Sequence, residues 1–293
     1  MRLKEPLAVA LLAVLAGVAA WLLAGRETPV PVSPTETPRI VCLMPPITAT
    51  LIELGAEDLL VGRSDYDDEP QVALLPACGS TLQPNVEAIA RTRPSLIVGE
   101  ASVGAARDKL EALAPCTFLP WLTAGDVVES TRKLGALSGH SAEADALADD
   151  LQRALVSRAG PNSPRVLLAM SHEPGHLSAV YFMRPNSLHG AMLEAAGFRN
   201  AVEQEISGVP QLSIEAVLEL DPDVIVVLDS SPELPPARRA ALLADWQALK
   251  PLRAVEGGRV LVLNGKHLFP AGRGIIAMIG LLKAKVPGAT RHD

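Results

Sequence analysis

NVEAIARTRPSLIV at residues 85–98 and SIEAVLELDPDVIV at residues 213–226 align without a gap, at a constant offset of 128. Each segment opens on a side chain suited to capping a helix N-terminus, Asn85 or Ser213, and continues with apolar residues at helical spacing. Each then passes a proline that ends the helix and enters a short apolar run that reads as a buried strand. The opening strands repeat as well, RIVCLMP from residue 39 against RVLLAMS from residue 165, at an offset of 126. A helix-strand unit written twice, with one small indel between the copies, describes two similar α/β lobes in one chain.

The intervening sequence supports that division. From Arg39 strand-like runs alternate with helical patterns as far as CTFLPW, which argues for parallel strands joined by crossover helices. EADALADDLQRALVSRA then places apolar residues at 144, 147, 148, 151, 154 and 155, an amphipathic helix with no strand beside it. The expected organisation is an N-terminal α/β lobe over 39–124, a helical connector over 125–163 and a C-terminal α/β lobe over 164–293. The fold class is α/β: two similar Rossmann-like lobes with mainly parallel sheets, joined by a long backbone helix. Closure of such lobes should be small, because a helix resists the hinge rotation that a flexible strand linker permits.

Ahead of the lobes, twenty residues between Glu5 and Arg26 carry no charge, about the length that crosses ~30 Å of hydrocarbon as a helix. Arg2 and Lys4 flank it on the N-terminal side, which orients the rest of the chain away from the cytoplasm. Residues 1–26 read either as an uncleaved transmembrane anchor or as a signal peptide, since a basic n-region, an apolar stretch and small residues near Ala24 fit both. Residues 27–38 are a Pro-rich linker, with four prolines from Pro29 to Pro38 favouring extended polyproline II. The chain is therefore placed on the periplasmic or extracytoplasmic face, anchored in the cytoplasmic membrane or secreted.

Composition excludes other classes. A formal charge of -7, with no basic run, leaves nothing to track a phosphate backbone, so nucleic acid is not an expected partner. Three cysteines, Cys42, Cys78 and Cys116, leave at least one thiol unpaired; Cys42 lies in an apolar strand, and Cys78 with Cys116 remains an open pairing. His172-Glu173-Pro174-Gly175-His176 has the spacing of a zinc hydrolase motif, but Pro174 and Gly175 break the helix that this chemistry needs. No phosphate loop, nucleophile elbow or catalytic carboxylate pair emerges, so no catalytic residue, cofactor or resident metal is expected.

In open parallel sheets ligands lie beyond the carboxyl ends of the strands, so two facing lobes would share one cleft. The loops at those ends make Pro45, Tyr66, Asp67, Leu82, Glu100 and Trp121 the candidate lining from the first lobe. His172, Tyr181, Arg184, His267 and Phe269 are the candidates from the second. The wider segments include Pro46, Asp68, Gln83, Asp229 and Lys266.

RIVCLMPPITATLIELGAEDLLVGRSDYDDEP, PNVEAIARTRPSLIV, NSLHGAMLEAAGFRNAV and LSIEAVLELDPDVIVV occur in this order over about residues 39–275. Together they resemble the helical-backbone solute-binding proteins of cobalamin, haem and siderophore ABC importers. The resemblance implies a monomer that captures a metal-chelate ligand, a corrinoid, haem or ferric siderophore, and passes it to an ABC permease and ATPase complex. It also implies that Glu87 and Glu215, in matching positions of the two lobes, dock against permease arginines; the same acids stabilise their helix N-termini. Where cobalamin binders of that family carry aromatics, this chain has Leu82, Glu100 and Val209, and its aromatic content is 3%. Asp65, Asp67, Asp68 and Glu100 read either as suited to a cationic or hydroxyl-rich ligand or as an exposed acidic turn. A free metal-ion binder and a non-transporting tethered receptor are the alternatives.

Overall fold

The computed structural model describes residues 37–102, 104–205 and 209–288. The N-terminal apolar run and most of the Pro-rich linker lie outside these residues, and with them the anchor-or-signal expectation. Among the described residues no helix is long and apolar enough to cross a membrane.

The first lobe runs β1 (Ile40–Cys42), α1 (Pro45–Glu53), β2 (Leu60–Gly62), α2 (Val86–Thr92), β3 (Leu96–Glu100), α3 (Arg107–Glu111) and β4 (Cys116–Leu119). Its four strands are all parallel, in the order β2-β1-β3-β4. The connector is α4 (Ala124–Ser138) and α5 (Ser141–Ala154). The second lobe begins with β5 (Arg165–Met170), β6 (Ala179–Tyr181), α6 (Leu188–Ala195), β7 (Arg199–Asn200) and β8 (Gln211–Ser213). It continues with α7 (Ile214–Leu220), β9 (Val224–Asp229), α8 (Pro236–Gln247), α9 (Arg253–Glu256), β10 (Val260–Asn264) and α10 (Gly274–Lys285). Its parallel sheet has the order β10-β9-β5-β7, which read from the other edge is the winding of the first lobe. An antiparallel ribbon, β6 with β8, leans on that sheet through the Ala169–Phe182 bridge.

The duplication extends to backbone detail. Asn85 Oδ1 accepts the Ala88 N–H at 3.0 Å, and Ser213 Oγ accepts the Ala216 N–H at 3.2 Å, so α2 and α7 are capped alike. Both helices end on a left-handed residue, Arg93 at φ 49° and Asp221 at φ 42°, the two non-glycine residues with positive φ among those described. Pro94 and Pro222 follow, so neither helix can continue, and the chain turns into β3 or β9. An arginine takes the exposed carbonyls in each case: Arg39 donates to the Thr92 and Arg93 oxygens, and Arg253 to the Asp221 oxygen.

The connector is divided into two helices, since Gly139 at φ 79° turns the chain back and α5 packs along α4. Gly135 permits this close crossing: a Cβ there would lie 2.2 Å from the Ala144 Cβ. Thr123 and Asp126 fix the start of α4 through a reciprocal capping box. The helical connector ends at Ala154, short of the expected boundary at residue 163.

One apolar core runs through both lobes and the connector. It joins Ile47 and Leu51 of α1, Leu134 of α4, Leu147 of α5, Met192 of α6 and Met278 of α10 to the inner faces of both sheets. The lobes are also bonded directly: the Leu188 N–H donates to the Leu122 carbonyl at 2.7 Å, and Arg273 spans Glu53 and Asp150. All three cysteines are free thiols, so Cys78 and Cys116 are unpaired; burial pushes the Cys42 thiol up to about 12, which leaves it inert.

Candidate ligand-binding cleft

The loops after β1, β4, β5, β9 and β10 converge at the carboxyl ends of the two sheets, and there they enclose three adjoining compartments. The apolar one, of about 310 Å³, is walled by Pro46, Trp121, Phe182, Arg184, His189 and Phe269, among others. A polar one, of about 270 Å³, is lined by Ser171, His172, Glu173, Asp229, Ser231 and Arg238. The outermost, of about 450 Å³, has Pro45, Asp68, Glu69, Lys266 and His267 on its walls. Phe269 belongs to all three, and Lys266 reaches across the outermost to pair with Asp68 of the opposite lobe.

These compartments gather Pro45, Trp121, His172, Arg184, His267 and Phe269 from the sequence candidates. The remaining five are placed elsewhere. Tyr66 is 74% exposed and Leu82 68%, both on loops facing solvent, and Tyr181 stands exposed on the β6–β8 ribbon. Asp67 is buried, where its Oδ2 accepts from the Ser64 N–H at 2.7 Å and the Thr48 hydroxyl at 3.1 Å. It ties the loop after β2 to α1, and burial raises its pKa above the ordinary carboxylate value. Glu100 accepts the Ser102 hydroxyl at 2.8 Å at the end of β3, outside the three compartments. Loop position alone identified these five, and it does not fix which way a side chain turns.

His189 was not foreseen from the sequence, because it lies in the first turn of α6 rather than on a strand-end loop. Ser187 caps that helix, and Gly190 keeps it close under the Arg184–Pro185 backbone; a Cβ at Gly190 would come 2.2 Å from the Pro185 carbonyl. His189 Nε2 donates to the Leu268 carbonyl at 2.8 Å, and its ring tilts against Phe269 at a centroid distance of 5.4 Å. Burial lowers its pKa from 6.5, only partly opposed by the carbonyl bond. A depressed folded pKa means that the unfolded chain binds the proton more readily, so this contribution to stability is complete above about pH 6.5 and is lost as the pH falls below it. The melting temperature of the parent chain should therefore fall more steeply below pH 6.5 than that of a His189→Gln variant, which keeps a donor to Leu268. Superimposable pH profiles would exclude the imidazole as the titrating group.

The His172–His176 segment is a loop after β5, with Gly175 at φ 81°, and not a helix face. Asp245 Oδ2 accepts from both His172 Nε2, at 3.0 Å, and the Gly175 N–H, at 2.8 Å, while Glu173 pairs with Arg238. His176 is exposed and, like His172, lies close enough to Asp245 to act on its charge.

Residues 40–266 match the family model described as periplasmic binding protein. The chain belongs to that family. This binding protein is 31% identical, over 248 residues, to a protein of Halobacterium salinarum named cobalamin-binding protein, a match covering 80% of this chain and 65% of that one. The chain thus spans about two thirds of the length of that relative. A periplasmic heme binding protein from Pseudomonas aeruginosa superposes with a TM-score of 0.69 at 27% identity, covering 86% of the binding protein and 94% of the other chain. An ABC transporter substrate-binding protein from Listeria monocytogenes shares the fold at a TM-score of 0.70 and 21% identity, over 86% and 99% of the two chains. The two parallel sheets and connecting helices match the expected architecture, and the family is one of binding proteins rather than hydrolases.

Proposed function

We propose that the chain is the extracytoplasmic solute-binding subunit of an ABC importer, and that it takes a planar metal chelate, a corrinoid foremost, into the cleft between its lobes. The observation that carries this reading is the apolar compartment. Although aromatic residues are sparse overall, Trp121 and Phe269 line it, with Phe182 buried in its wall and His189 beside them, an apolar surface suited to one side of a macrocycle. The name of the halobacterial relative, cobalamin-binding protein, favours a corrinoid, and that of the Pseudomonas heme binding protein keeps haem as the second reading.

In this reading the residues of the compartments bind and orient, and no bond is made or broken. Glu87 and Glu215 stand exposed in the first turns of α2 and α7 and present one carboxylate from each lobe to the permease. Residues 6–25 hold the chain at the membrane as an uncleaved anchor, with a cleaved signal as the alternative. Native mass spectrometry of the protein isolated from its own cells tests both points. The expected spectrum carries the mass of a corrinoid on a chain that begins at Met1. A chain starting near Arg26 would replace the anchor by a signal peptide, and a haem or siderophore mass would replace the ligand.

A further inference from the structure

The polar compartment beside the aromatic one has no role in the reading above. Asp229, at the carboxyl end of β9, is 3% exposed. Its Oδ1 accepts the Ser231 N–H at 2.9 Å, and its Oδ2 accepts the Ser171 hydroxyl at 2.7 Å. Burial works against its charge, but the bonds from Ser231 and Ser171 and the charge of Arg238 outweigh it and hold the carboxyl below its ordinary pKa. An ionised carboxylate has about four acceptor positions, so two remain beyond those that Ser171 and Ser231 occupy. Ser171 spends its one donor on Asp229, so toward a ligand its hydroxyl can only accept.

The neighbouring groups add acceptors and negative charge. His172 is nine-tenths buried and its Nε2 faces Asp245, so a neutral ring carries its lone pair on Nδ1, which has no partner among the described residues. The one guanidinium on the walls, Arg238, is paired with Glu173 at 3.2 Å. Two carboxylates against one cation leave the compartment with a net negative charge. Met170 and Phe269 are shared with the aromatic compartment, so a group on the edge of a ligand seated there faces directly into this one.

We infer that the Asp229 compartment is a specificity subsite that accepts an uncharged hydrogen-bond donor, a carboxamide or hydroxyl, on the edge of the chelate and turns away a carboxylate. The assignment rests on the chelate-binding reading and deepens it. Corrinoids are edged by carboxamides and haem by two carboxylates, so the subsite favours the corrinoid. A buried acceptor that loses its donor, or meets a second anion, discriminates more strongly than apolar contact does.

The test uses ligand-free protein, with cyanocobalamin, haemin and the singly hydrolysed isomers of cyanocobalamin, each bearing one carboxylate in place of a carboxamide. The parent chain should bind cyanocobalamin at least about 10-fold more tightly than one of those isomers and than haemin. Asp229→Asn keeps an acceptor for Ser231 and a group to bond Ser171, and should reduce both preferences to roughly 3-fold or less without lowering the melting temperature of the ligand-free protein by more than a few degrees. Ser171→Ala, a second variant, should weaken them less. Equal binding of every isomer by the parent chain, or an undiminished preference in a folded Asp229→Asn variant, overturns the subsite while leaving chelate binding intact. A parent chain that binds none of these chelates overturns the proposed function itself, and the subsite with it.

Discussion

Uptake should fall to background in a Glu87→Arg/Glu215→Arg double variant, while the ligand is held as tightly as by the parent chain. The two carboxylates occupy equivalent first turns of α2 and α7 and lie in the open, apart from the contact of Glu87 with Arg91 one turn on. Hydrogen bonds from its own backbone N–H and from Ser213 lower the pKa of Glu215, so it is charged throughout the physiological range. If the two acids dock on permease cations as proposed, reversing both sets like charge against like, which costs several kcal/mol, so the loss should be roughly 100-fold or more. Reversing Glu143, in the first turn of α5, is the control and should change transport little. Normal uptake by the double variant with its own permease would remove the docking assignment. Loss of folding would instead show that the acids serve chiefly their helices.

The second large effect is expected at Phe269. It follows the short 3-10 turn Lys266–Leu268 and is the residue common to all three compartments. Phe269→Ala removes the face against which His189 is tilted and merges the aromatic and polar spaces. Truncating an aromatic anchor at the centre of a binding surface costs about 2–3 kcal/mol, so the affinity for cyanocobalamin or haemin should fall roughly 30- to 150-fold. Leu74→Ala, at a fully exposed position on the first lobe, should leave affinity unchanged. A loss under about 3-fold in calorimetric titration, with the ligand-free variant still folded, would place the ligand elsewhere.

The architecture was legible because the signals that set it are local and were written twice. Asn85 and Ser213 cap, Pro94 and Pro222 stop, and the apolar runs that follow can only be buried strands; the offset between copies then supplied the two-lobed plan. What sequence could not supply was orientation. Of the candidate cleft residues, Tyr66 and Leu82 turn to solvent, and Asp67 turns inward to Thr48 and Ser64. Apolar and polar patterning does not fix either choice: Tyr66 and Leu82 stay open, while Asp67 is held by Thr48 of α1 and by Ser64 of its own turn. His189 was missed for a related reason: its place in the cleft comes from α6 lying against the turn at Leu268, a contact 79 residues away in sequence. The break at Gly139 was missed because both connector segments read as helical and were taken as one stretch.

The core that passes from α1 through α4 and α5 to α6 and α10 also bears on what the repeat now means for folding. A duplicated gene segment invites the idea of two halves that once stood, and could again stand, alone. Here each half would leave its share of that common interior open to water: Ile47 and Leu51 on one side, Met192 and Met278 on the other, all fully covered in the whole chain. Cooperativity follows from such shared burial, because disordering either repeat strips cover from the other. The repeats are two in ancestry and one in thermodynamics.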